Sequence, residues 1–123
     1  MMKKILSTLA LVAMATQVSA ATLDGVYSTH KEGCAWRKNQ DQYPKDFEDI
    51  AYLSKDGIMG WEWGCDFVTS HENRYGASVH VSTCGMEGTS WPDLVMVEKG
   101  AEGFNAITKD RTETPIEFPF KCE

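Results

Sequence analysis

Hydrophobic and polar positions alternate most sharply between Gly57 and Phe67. Met59, Trp61, Trp63, Cys65 and Phe67 fall on one parity, and Gly60, Glu62, Gly64 and Asp66 on the other. A period of two sends alternate side chains to opposite faces, so the run predicts one half-buried β-strand with its aromatic face toward a core. Ahead of it lies a second apolar run, Ile50 to Lys55, and Asp56-Gly57 between two such runs predicts a hairpin.

The rest of the chain supplies more short strands. Leu23 to His30 alternates weakly and predicts a first strand. After a polar turn at His71 to Arg74, Ala77, Val79, Val81 and Thr83 alternate with Ser78, His80, Ser82 and Cys84. That strand places Cys84 with the serines and His80, opposite the valines. Gly85 to Ser90 is a glycine-rich connection, and Leu94 to Val97 is an apolar run too short for a helix. Phe104 to Lys109 predicts another strand. Ile116, Phe118 and Phe120 form a last one, whose Pro119 cannot donate to a ladder and so marks an edge or a bulge. Six to seven short strands, hairpin-length connections and little helix predict an all-β fold, an antiparallel meander closing into a small barrel or sandwich.

Periodicity stops between Lys31 and Asp49, a charged stretch broken by Gly33 and Pro44. Loops longer than about 12 to 15 residues are uncommon in compact domains and often functional. Cys34 pins this one, and Trp36, Arg37 and Tyr43 make it the first candidate for a partner-binding surface. The competing reading is a disulfide-anchored flap with a short helical turn that covers one end of the core.

Composition sets the compartment. Met1-Met2-Lys3-Lys4 is followed by an apolar run from Ile5 to about Ala15, then by Val18-Ser19-Ala20. This is the pattern of a secretory signal peptide over residues 1–20, cut after Ala20, with residues 21–123 as a single domain. An apolar run of roughly eleven residues is too short to span ~30 Å of hydrocarbon. The expected address is the periplasm, with secretion as the alternative. The chain carries 12 Lys plus Arg against 18 Asp plus Glu, a formal charge of −6. Residues 21–123 keep all the acids and lack Lys3 and Lys4, which makes them about −8. Such a surface repels nucleic acid and anionic lipid and steers a basic protein partner toward itself. Solubility alone also accounts for it.

Four cysteines in an exported chain predict two disulfides, and four cysteines allow three connectivities. Cys65 shares a parity with Trp61, Trp63 and Phe67, whereas Cys84 shares one with Ser78, His80 and Ser82. Face parity therefore argues against a bridge between them unless a bulge intervenes. The preferred pairs are Cys34 with Cys65 and Cys84 with Cys122. Cys34 with Cys122 and Cys65 with Cys84 come second.

Tyr27 before Cys34, then Gly57 to Phe67, Cys84-Gly85-Met86-Glu87-Gly88 and the terminal Lys121-Cys122 resemble small uncharacterised exported proteins of alphaproteobacteria. The resemblance implies a periplasmic address and a shared disulfide frame, and no activity. In outline the chain is also similar to bacterial lysozyme inhibitors, but their Ser-Gly-x-x-Tyr loop does not occur here.

Little in the chain points to catalysis. The cysteines are expected to be oxidised, and no Gly-x-Ser-x-Gly elbow occurs. His30, His71 and His80 are isolated. Glu62 and Asp66 fall on the parity expected to face solvent, which does not suit a carboxylate pair with one raised pKa. His71, Glu72 and His80 flank one hairpin and are the only cluster considered for a metal. No cofactor and no catalytic residue is assigned. The leading expectation is an exported binding or inhibitor-like module for a protein partner such as a basic hydrolase. A small-ligand carrier with its site near Trp61 and Trp63, an envelope structural protein and, last, a metal-dependent enzyme are the alternatives.

Overall fold

The computed structural model describes residues 23–39, 49–73, 76–109 and 113–122. The expected signal peptide lies outside the described residues. The elements are β1 (Val26–Ser28), α1 (Gly33–Lys38), β2 (Tyr52–Ser54), β3 (Gly57–Met59), β4 (Trp63–Glu72), β5 (Ala77–Met86), β6 (Thr89–Lys99), β7 (Phe104–Ile107), β8 (Ile116–Phe118) and β9 (Phe120–Cys122). Each strand from β1 to β7 pairs antiparallel with the next, and β9 returns to β1. Only Pro119 separates β8 from β9. One C-terminal segment thus pairs with β7 by its first half and with β1 by its second, and the sheet becomes a nearly closed barrel.

Antiparallel β architecture, the barrel and two disulfides follow the sequence pattern, but nine strands replace the expected six to seven. The additional strands arise where single alternating runs break. At Pro119 the ring removes a ladder donor, and the chain changes partner there. The run from Gly57 to Phe67 breaks as well. β3 ends at Met59, the chain reverses through Gly60, Trp61 and Glu62, and β4 starts at Trp63. The Gly60 N–H donates to the Trp63 carbonyl at 2.9 Å, and Glu62 takes a positive φ of 58°. A Cβ at position 60 would run into the Trp63 indole, so only glycine lets this turn close. Trp61 is consequently a turn residue, 45% exposed, and not part of a buried aromatic face. The hairpin around Asp56-Gly57 forms as expected, with Ser54 paired to Gly57. A second tight hairpin joins β5 to β6 through Glu87 and Gly88, both at positive φ, the conformation of a type I′ turn.

The interior is a belt of successive cross-strand partners, Tyr27, Leu53, Ile58, Cys65, Cys84 and Trp91. Val95, Val97, Phe104, Ala106 and Phe118 fill the rest of the core. Tyr27 meets Phe104 edge to face, ring centres 5.0 Å apart. α1 lies outside the barrel against β1 and β9. Under it Tyr52 donates its phenolic hydrogen to the Gly33 carbonyl at 2.7 Å. Ser28, fully buried, sits where any Cβ at Gly33 would intrude.

β5 presents the opposite face to the one its valines suggest. Ser78, His80, Ser82 and Cys84 are buried, while Val79 and Val81 are exposed. Cys84 therefore points inward with Cys65, its direct partner in the β4–β5 ladder. The bridges are Cys65–Cys84 and Cys34–Cys122, not the preferred Cys34–Cys65 and Cys84–Cys122. A bulge does occur between Phe67 and Thr69, but beyond the cysteines. Parity points the wrong way here because the valine face of β5 is not the core face. Two disulfides suit an oxidising compartment. Among the described residues no helix is long and apolar enough to cross a membrane.

The two bridges should differ in weight. They span sequence separations of 19 and 88. In the chain-entropy model these are worth about 3 and about 4.6 kcal/mol respectively. Urea melts are expected to rank Cys34→Ala/Cys122→Ala below Cys65→Ala/Cys84→Ala in stability. Peptide mapping of the unreduced protein should recover Cys34 joined to Cys122.

Candidate functional site

The closing segment makes β8 and β9 one stave, so the wall has eight, a size at which small barrels can hold one small ligand. At one end Cys65, Cys84 and Trp91 of the inner belt line a cavity of about 400 Å³. The Cys65–Cys84 bridge and Ala51 form its base, and Trp63, Trp91 and Ile116 form its sides. Met86, Thr108, Asp49 and Asp93 complete the lining. The volume is in the range of small-molecule sites, and barrel mouths are a usual place for them.

Local sequence explains why the cavity stays open. β7 pairs with β6 only from Met96 to Lys99, so the first half of β6 has no strand on that side among the described residues. Pro92 lies in this half, where its missing N–H costs nothing. Leu94 donates its backbone N–H to Asp93 Oδ1 at 2.7 Å. A proline and a side-chain acceptor thus blunt an edge that would otherwise recruit another strand. Asp93 pairs with Ser82, whose side chain is inward, and so shares the interior face with Cys84 and Trp91. Trp63 is held against Gly60 and opposite Met86.

Beneath Asp93 the interior is polar. His80 is 4% exposed and stacks on Phe67, ring centres 4.0 Å apart. Its Nδ1 lies 2.7 Å from Ser70 Oγ and its Nε2 2.8 Å from Ser78 Oγ. A neutral imidazole donates from one nitrogen and accepts at the other, so both serines are satisfied. Ser82 donates to the His80 carbonyl at 3.0 Å. Burial holds His80 below its ordinary pKa, and the Glu72 carboxylate opposes this less strongly.

Outside, β5 and β6 carry the reverse pattern. Val79, Val81, Leu94 and Met96 form an apolar band, Leu94 being 60% exposed, while Val95 and Val97 between them are buried. Ile107, cross-strand partner of Met96, extends the band onto β7. Glu98 and Glu117 lie beyond one end of it and Asp66 beyond the other, by register.

The sequence-predicted site residues fall elsewhere. Trp36 and Arg37 lie on α1, the first half-buried and the second exposed. Around one side of the barrel β2, β3 and β4 lie between α1 and the apolar band, and around the other side β8 does. Tyr43 lies outside the described residues. His71 pairs with Val79 and His80 with Ser70, which puts the two histidines on opposite faces of the sheet. With both His80 nitrogens engaged, His71, Glu72 and His80 do not form a metal site. Among the described residues no group of three His, Cys, Asp or Glu side chains is placed to hold one. His30 bonds its neighbour, Nδ1 2.7 Å from Thr29 Oγ1. Glu62 and Asp66 are exposed. Of the pair Trp61 and Trp63 expected near a carrier's site, Trp63 lines the cavity and Trp61 does not, while Trp91 and Asp93 carry no sequence signal, because no period identifies which end of a strand meets an open mouth.

No protein-family model matches the chain, and no curated protein or solved structure matches it significantly.

His80 makes stability depend on pH. Its folded pKa lies below its unfolded value of 6.5, so the unfolded chain binds the extra proton first. The stability tied to neutral His80 is present above 6.5 and is lost as pH falls through that value toward the folded pKa. Urea midpoints of the wild type are expected to fall between pH 8 and pH 5, and His80→Gln should remove part of that slope.

Proposed function

We propose that the protein is an exported, periplasmic small-ligand-binding barrel, with the mouth cavity as its site. The observation that carries this reading is the cavity itself, lined by two indoles, backed by a covalent cross-link and bordered by a strand edge blunted by Pro92 and Asp93. The floor is rigid because the bridge ties β4 to β5 at the base. Preorganised walls reduce the ordering cost of binding. The described lining offers carboxylates and indoles, groups suited to holding a ligand.

Native mass spectrometry and tryptophan fluorescence with a panel of aromatic and aliphatic compounds of about 10 to 20 heavy atoms test it, sizes suited to a pocket of this class. One-to-one binders are expected, and Trp63→Ala or Trp91→Ala should weaken them at least tenfold, whereas Trp61→Phe should not. A panel without a binder would sink the reading.

The apolar band on β5 and β6 favours a second reading, a module for a protein partner. Scattered apolar residues are normal on a surface, but a contiguous band with acidic residues beyond both ends and one lysine, Lys109, at its rim fits a partner segment of apolar centre and mainly basic flanks. Trp36 and Arg37 on α1 are a separate candidate surface. Capture of a basic hydrolase such as a lysozyme should weaken with salt. It is expected to fail for Leu94→Glu with Met96→Glu while thermal stability is kept, and binding untouched by that pair would exclude the band.

A further inference from the structure

We infer that the mouth cavity selects an organic cation, an ammonium or quaternary ammonium head on an apolar body. The inference rests on the small-ligand reading above and adds the charge of the ligand. Of the described residues that line the cavity, two carry charge, Asp49 and Asp93, and both are acidic. Among the described residues that line it there is no lysine, arginine or histidine. Asp93 uses one carboxylate oxygen on the Leu94 N–H and keeps acceptor capacity for a ligand. The other walls are two indoles, whose faces attract cations more strongly than any other side-chain ring. Ile116 and the Cys65–Cys84 bridge offer an apolar body no polar partner, so the lining divides into an anionic part and an apolar part.

The wider field agrees with the local chemistry. The chain has a formal charge of −6, and a cleft with low-dielectric walls focuses such a field on its mouth. A carboxylate or phosphate ligand would enter against both. A neutral ligand would gain from the indoles and leave the aspartates unused.

Four probes that share a benzyl group and differ in the charge of the head separate these possibilities: benzyltrimethylammonium, benzylammonium, benzyl alcohol and phenylacetate, titrated by tryptophan fluorescence and calorimetry at two salt concentrations, with benzylammonium against benzyl alcohol as the size-matched pair. The ammonium probes are expected to bind roughly tenfold or more tighter than the alcohol, the scale of a cation–π contact in a partly desolvated site. Phenylacetate should be the weakest. Asp93→Asn retains an oxygen for the Leu94 N–H and so preserves the edge. It should cut the ratio of ammonium to alcohol affinity by roughly the same tenfold factor without changing binding of the alcohol. Equal affinities for ammonium and alcohol would overturn the inference and leave the ligand-binding reading standing. Failure of all four probes to bind would overturn both.

Discussion

The fold depends on closure by a single segment. A curled sheet with two free edges leaves a row of unpaired backbone groups at each and an interior open along its side. Here the chain from Ile116 to Cys122 covers both edges, pairing with β7 before Pro119 and with β1 after it. Phe118, fully buried, is the side chain this segment drives into the core. Cys122 then ties the closed seam to α1 through Cys34. Without this segment β1 would have a partner on one side only, and α1 would lose its covalent hold on the wall.

The same constraint explains why the mouth is open. Closure uses three-residue strands, and β7 contributes only four residues to the wall. β4, β5 and β6 run ten or eleven. The mismatch leaves the beginning of β6 projecting past its neighbour, with Trp91 and Asp93 on the inner side. An acidic, aromatic cavity is thus a by-product of unequal strand lengths, stabilised by a proline and a side-chain acceptor at the bare edge.

Much of this architecture was legible in the sequence, and the failures have specific physical causes. Turn chemistry was readable at Asp56-Gly57, and Pro119 did mark a discontinuity. The break inside Gly57 to Phe67 was hidden because Met59, Trp61 and Trp63 keep the same parity through a reversal, so alternation alone cannot see it. The β5 face was misread because hydrophobicity normally identifies the inside. Here the serines and His80 satisfy one another within the barrel, while Val79 and Val81 remain outside. The disulfide pairing followed that error. The site was legible only in part. Trp63 stood out in its run, but nothing local couples Trp91 and Asp93 to it. Their proximity depends on the register between β4, β5 and β6.

The Cys34–Cys122 bridge joins an early residue to the very end of the described chain. Cys65 and Cys84 are both present long before Cys122 emerges in synthesis, so the local bridge has a head start and removes the two wrong partners that Cys34 would otherwise meet. Once they are joined, Cys34 is left with one mate. Any product truncated ahead of the closing segment then carries a lone thiol on α1, open to mixed disulfides, by which a cell's thiol-handling machinery can tell an unfinished barrel from a finished one.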